Sequence, residues 1–287
     1  MINDSNSMKR MDNLRNGFSS FVVNAILIVF SITCVYPVFW MFYSSFKNTK
    51  GFNNNPVGLP TELYFENYVH VVTKTLMPTY ILNSAVITVI SLAFILLIGF
   101  ITGYFLSRFT FKGRNVLYSY YMIGMLIPIH ALLVPIYILT KNVGLVNSAG
   151  GLIIPYVSFG LPTAVFLIES YVSTVPKAIE EAASIDGSSF ARTLLQIMLP
   201  MCKPIMVTVA IIQFFASWNE FSFALVLLSD QNKFTVPLGL TFFKGPYATN
   251  YPMIMTATII SITPVMILYF AFSGKVIAGM TAGAVKG

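Results

Sequence analysis

The sequence predicts an all-α membrane protein with six transmembrane helices. Three observations carry that prediction. The chain of 287 residues is 56% hydrophobic and only 9% charged, with a mean hydropathy of +0.77, whereas about a quarter of a soluble domain is charged. Its apolar residues fall in runs of the ~20 residues that a helix needs to cross a bilayer. Its net charge of +7 is spread over the short segments between those runs, not gathered on one basic face as nucleic-acid binding requires.

The first run, FSSFVVNAILIVFSITCVYPVFWMFYSSF, spans about 18–46 behind an N-terminal segment 1–17. It is far longer than the ~7–15-residue apolar core of a cleaved signal, and no A-x-A site follows, so it reads as a retained span. In the next segment, KNTKGFNNNPVGLPTELYFENYVHVV, the start reads as irregular and the end as a short helix capped by Thr61. The second span, about 81–106, carries Gly99 and Gly103. This G-x-x-x-G pair would let another helix approach closely, although two glycines also fall at that spacing by chance. The third, about 116–140, holds Pro128 and Pro135 as expected kinks, with His130 between them as a packed or pore-edge residue. The remaining spans are expected at about 150–173, 205–229 and 252–274, before a tail 275–287. Proline and glycine inside these runs do not disqualify them, because neighbouring helices can satisfy the freed backbone groups.

Orientation follows the bias of Lys and Arg towards the cytoplasm. One set of loops carries Lys9, Arg10, Arg15, Arg108, Lys112, Arg114, Lys177, Arg192, Lys203, Lys275 and Lys286. The other set carries only Lys47, Lys50, Lys74, Lys141, Lys233 and Lys244. Both termini are therefore expected in the cytoplasm.

That places the loop at about 174–204, between the fourth and fifth spans, on the cytoplasmic side. Within it, residues 180–200 read EEAASIDGSSFARTLLQIMLP. Ser173 or Thr174 can cap a helix, with Pro176 in its first turn and Glu180 and Glu181 near its positive end. Gly187 suits the position just past the C-cap. Ser188 or Ser189 can then start a second helix to Leu199, with Pro200 and Pro204 marking the turn into the fifth span. On a helical wheel Ala178, Ile179, Ala182, Ala183 and Ile185 cluster on one side, and Lys177, Glu180, Glu181 and Ser184 on the other. A helix resting on lipid headgroups shows bulky apolar residues and a basic face. Alanines beside adjacent glutamates favour a protein partner instead.

At these residues the chain resembles the membrane subunits of binding-protein-dependent ABC importers, and among them the maltose-type carbohydrate permeases. The signature is EAA, three residues, Gly, nine residues, then I-x-L-P; here Glu181, Ala182, Ala183, Gly187, Ile197, Leu199 and Pro200 meet every spacing. Supporting stretches are ENY at 66–68, NS at 83–84, GLVNSAGGLIIPY at 144–156, WNEF at 218–221 and TAGAVKG at 281–287. The resemblance implies that the loop is a coupling helix docking in a cleft of a cytoplasmic ATPase dimer. Glu180, Glu181, Ala182, Ala183, Asp186 and Gly187 are the contact residues it points to, and the C-terminal tail is a second candidate contact. It also implies a homologous second permease, an extracytoplasmic sugar-binding protein and a carbohydrate substrate, in a multi-pass protein of the bacterial plasma membrane. ATP and Mg would belong to the ATPase; this chain is expected to bind no cofactor.

The sequence itself supplies no energy source. It has no G-x-x-x-x-G-K-[ST], and its Gly274-Lys275 is followed by Val276. H-E-x-x-H, G-x-S-x-G and a partnered S-x-x-K are also missing. His70 and His130 are isolated, and Cys34 and Cys202 form no C-x-x-C.

Inside the fifth span, Gln213, Ser217 and Glu220 share an i, i+4, i+7 stripe beside Trp218 and Asn219. An ionisable group at that depth costs about 2.5–3.5 kcal/mol on insertion scales, so the stripe should face the bundle interior. It reads either as a substrate pathway, with rings and amides suited to a sugar, or as polar glue between helices. In the fourth span Ser158, Pro162 and Glu169 share a face. The competing functional readings are an ion-coupled secondary transporter using Glu220 and Glu169, an ABC importer permease for a non-sugar solute, and a non-transporting scaffold.

Overall fold

The computed structural model describes residues 2–243 and 250–284, with side chains from Ser20 to Phe243 and from Asn250 to Ala271. Among the described residues there is no strand. In chain order the helices are α1 (Ile2–Ser44), α2 (Thr49–Asn54), α3 (Glu66–Lys74), α4 (Met77–Arg108) and α5 (Arg114–Gly124). There follow α6 (Leu133–Asn142), α7 (Ala149–Thr174), α8 (Ala178–Ile185), α9 (Phe190–Met201) and α10 (Lys203–Trp218). The last are α11 (Ser222–Leu227), α12 (Val236–Leu240) and α13 (Tyr251–Ala284). Lys244 and residues 285–287 of the expected tail lie outside the described residues.

Among the described residues, four helices are long and apolar enough to cross a membrane: Ser20–Ser44, Met77–Arg108, Ala149–Thr174 and Tyr251–Ala271. Two further pairs reach that length only if each is one bent span: Arg114–Gly124 with Ile129–Asn142, at 95°, and Phe190–Met201 with Lys203–Trp218, at 70°. The predicted third span is thus broken, not merely kinked. Pro128 lacks an N–H and its ring cannot follow an intact helical turn, and only a tight turn at Ile129–Leu132 separates it from α6. Pro135, expected as a second kink, lies in the first turn of α6, where a missing N–H costs nothing. The predicted fifth span stops at Trp218, eleven residues early, and resumes as the short α11.

The chain divides into two compact units, Met1–Val69 with Asn250–Ile259, and His70–Thr249 with Ile260–Gly287. In the first, the segment expected to be irregular begins with a helix, α2, whose N-cap Asn48 accepts a bond from the Gly51 N–H at 2.7 Å. The chain then folds back along the end of α1. Trp40 Nε1 donates to the Pro56 carbonyl at 2.9 Å, and the Tyr43 hydroxyl donates to Val57. Lys47 Nζ donates to the carbonyls of Asn55 (2.8 Å) and Pro56 (3.3 Å) above the rings of Tyr43 and Phe52. Burial pushes the Lys47 ammonium below the ordinary lysine pKa. Asn67, from the ENY stretch, donates to the Ser45 and Lys47 carbonyls. Thr61 caps nothing; α3 starts at Glu66.

In the second unit α4 lies against α7. A methyl group at Gly99 would sit 2.9 Å from Ala164 Cβ, and one at Gly103 would sit 2.9 Å from Ile168 Cγ2. The G-x-x-x-G pair is therefore the contact surface, where missing side chains let two backbones approach. The core continues through Ile95, Tyr104, Val172, Met198, Cys202 and Val209, joining α4, α7, α9 and α10. At the opposite end of α4, Ser84 Oγ accepts the Val236 N–H at 2.8 Å, and Asn83 Nδ2 donates to the Asn232 and Phe234 carbonyls. Asn147, at φ 60°, accepts the N–H groups of Ser229 and Asp230, while Ser148 caps α7. The NS and VNS stretches thus fix the turn between α11 and α12.

Candidate functional site

The loop between α7 and α10 is a helix–turn–helix, with its start and its faces differing from expectation. Ser173 and Thr174 cap nothing: their hydroxyls donate back to Ser170 and Tyr171 within α7, each at 2.7 Å. Lys177 precedes α8 with no side-chain cap. The helix closes as expected, with Gly187 at φ 77° and the Ser188 N–H on the Ala183 carbonyl at 2.9 Å. Nothing lies within 4 Å of where a Gly187 side chain would sit, so the backbone conformation requires the glycine, not the space. Ser189 then caps α9, which carries a π-helical stretch at Thr193–Met198 and passes through Pro200. The bend falls at Cys202, before Pro204 in the first turn of α10.

The two faces of α8 are cut differently from the sequence expectation. Ala183 is buried and Ile179 and Glu180 partly so, while Ala178, Glu181, Ala182, Asp186 and Gly187 are exposed and Ile185 is 86% exposed. The helical wheel grouped Glu180 with Lys177, Glu181 and Ser184 on the polar side. Instead Glu180 meets Arg108 at the end of α4. Arg108 Nε donates to Glu180 Oε1 at 2.5 Å, and the Tyr104 hydroxyl donates to Oε2 at 2.5 Å. Arg108 Nη2 adds a bond to the Val175 carbonyl at 2.8 Å. The side chains are 6% and 18% exposed, so this ion pair is sheltered from water. Of the residues expected to dock, Glu181, Ala182, Asp186 and Gly187 are free; Ala183 and Glu180 are used within the chain. Arg108 and Tyr104 were missed: Arg108 had counted only as a loop charge, and nothing in the sequence pairs it with a residue 72 positions away.

The polar stripe is also redistributed. Gln213 and Ser217 lie on the buried face of α10. Trp218 is packed, stacked on Phe214 at 5.5 Å with its indole N–H on the Ser261 carbonyl at 3.3 Å. Asn219 is exposed where the helix ends. Glu220 lies beyond the helix, out of register with the expected stripe. Its carboxylate accepts the Tyr156 hydroxyl (2.8 Å) and the N–H groups of Phe223 (2.7 Å) and Ala224 (3.2 Å). It therefore caps α11 and ties it to α7. Glu169 lies 3.4 Å from Arg114 Nη2, and His130 is exposed at the break before α6. Beside these residues an apolar groove of about 880 Å³ opens between α5, α6 and α7, lined by Tyr120, Tyr121, Gly124, Pro155, Ser158 and Pro162 among others.

Residues 95–280 match the family described as binding-protein-dependent transport system inner membrane component. The chain is 33% identical over 267 residues to the diacetylchitobiose uptake system permease protein NgcG of Streptomyces coelicolor, covering 92% of this chain and 88% of that protein. It is 34% identical over 270 residues to the trehalose/maltose transport system permease protein MalG of Thermococcus litoralis, covering 93% and 96%. Its fold matches a chain in the crystal structure of a bacterial ABC transporter involved in import of the acidic polysaccharide alginate. The TM-score is 0.79 at 23% identity, over 88% of this chain and 95% of that one.

Proposed function

The chain belongs to the family of binding-protein-dependent transport system inner membrane components, and on that premise we propose that it is one permease subunit of an ATP-driven importer that moves a carbohydrate, as an oligosaccharide, across the bacterial plasma membrane. It is a multi-pass membrane protein and a transport subunit, not an enzyme. Relatives named for diacetylchitobiose and for trehalose/maltose support the carbohydrate assignment. A binding protein delivers the sugar, a homologous permease completes the pathway, and a cytoplasmic ATPase dimer holds ATP and Mg.

One observation carries the reading: the outward face of α8. Ala178, Glu181, Ala182 and Ile185 stand exposed at i, i+3, i+4 and i+7. Two alanines allow close approach, Ile185 offers an apolar anchor, and Glu181 offers a carboxylate to a basic partner group. The secondary-transporter reading needs an ionisable group free to take up a coupling ion. Glu220 is committed to three donors and Glu169 faces Arg114. Of the residues expected on the pathway, Asn219 is the exposed one and the first to test against substrate.

The test is purification of the tagged permease complex from its own membrane, with the partner identified by mass and by ATP hydrolysis. The wild type is expected to bring an ATPase with it, and Glu181→Lys combined with Gly187→Trp to lose it. Full retention by the double variant, or no ATPase with the wild type, would overturn the coupling assignment.

A further inference from the structure

The pairing of Glu180 with Arg108 removes Glu180 from the docking face and gives it a different task. We propose that Arg108 and Glu180 form a latch that makes α8 one rigid piece with the cytoplasmic end of α4, so that displacement of α8 by a docked ATPase is delivered to the second span. The inference rests on the importer reading above.

Three observations carry it. Both oxygens of Glu180 are taken by the last turns of α4, Oε1 by Arg108 and Oε2 by Tyr104, four residues apart and so on one helix face. The same Arg108 reaches the Val175 carbonyl, which fixes the strand of chain leading into α8. The far arm of the loop is held by the same turns: Phe190 packs against Tyr104, Phe105 and Phe109, with ring centroids 6.2, 5.8 and 6.0 Å away.

These contacts add a charged anchor to the apolar seating of α8, which comes from Ala183 and Ile179 against the core. The helix is 8 residues long with Ala183 as its buried residue, and a helix that short does not hold itself together in water. With its outer face exposed, its inner face defines the direction in which it can push. The latch ends on α4, and α4 is seated closely on α7 at Gly99 and Gly103, so a displacement entering at Glu180 reaches a tightly packed helix pair. Glu180, Arg108 and Tyr104 are thus positioning residues, acting through α8 without touching the ATPase.

The experiment is a pulsed EPR distance between spin labels on Ser184→Cys, exposed on α8, and Ile101→Cys, exposed on α4, in a Cys34→Ser background. It uses the purified complex with its partner permease and ATPase, before and after Mg-ATP with orthovanadate. The latch predicts one narrow distance in both states. In Arg108→Gln the distribution broadens without nucleotide and shifts on trapping, because α8 follows the ATPase and α4 does not. Arg108→Lys, which keeps the charge, restores the single distance, a rescue that a mere loss of fold would not show. Glu180→Gln is read the same way and serves if Arg108→Gln does not survive purification. An unchanged narrow distance in both neutral variants overturns the latch while leaving the importer reading intact. Absence of an ATPase from the wild-type complex overturns that reading, and transmission with it.

Discussion

At Glu220 a single side chain decides what a membrane carboxylate is for. The sequence marks it as costly at that depth, and the structure surrounds it with three hydrogen-bond donors. Glu220→Ala leaves the Phe223 and Ala224 N–H groups and the Tyr156 hydroxyl without their acceptor, an expected loss of about 1–3 kcal/mol, read as a lower melting temperature of the purified protein in detergent. Glu220→Gln keeps an acceptor and should cost less. Gly187→Ala tests a different residue-scale effect. Its left-handed backbone should cost about 1–2 kcal/mol for a residue with a Cβ, seen as weaker recovery of the ATPase, since nothing crowds the site. Gly187 was legible because a helix end announces its φ in the local sequence. The Arg108–Glu180 pair was not, because tertiary packing alone brings residues 72 apart in sequence together.

Among the elements, those whose signal is local came out as read. The runs for the first, second, fourth and sixth spans are helices, and the glycine pair in α4 marks the surface on which α7 sits. Gly99→Leu or Gly103→Leu should separate α4 from α7, and the expected result is loss of monodisperse protein on size exclusion. Leu97→Ala, on the exposed face of the same helix, should leave it intact. The elements that differ share one cause: proline and polar breaks change direction where hydropathy counts only apolar residues. Composition cannot tell a kink from a 95° break, nor show that the fifth span ends at Trp218. Thr61 failed as a cap for the converse reason. Chain folding back onto Trp40, Tyr43 and Lys47 takes up the segment before a helix can start. Lys47→Met should free those carbonyls and render the 55–58 segment sensitive to protease added from its own side of the membrane.

For the molecule as a whole, the six-span count is met only if each bent pair is one span. Its family follows from a loop signature that the structure presents as an exposed helix face. The division of labour is clear in which carboxylates are spent. Glu169, Glu180 and Glu220 are paired within the chain, while Glu181 stands exposed on α8 and is the carboxylate proposed above to meet the ATPase. The broken third span has a consequence for how the subunit lives in the cell. At 11 residues, α5 is about 16 Å long, half a bilayer. The break that follows leaves Met125, Leu126 and Ile127 exposed at 46%, 80% and 41%. Irregular backbone survives at membrane depth only under protein or against water. A copy without its assembly would face lipid there, making it an orphan that membrane proteolysis should recognise. A pulse-chase of the chain expressed alone should therefore show a shorter lifetime than the same chain made together with the second permease proposed above, and equal lifetimes would mean that the exposed break does not mark the lone chain for proteolysis.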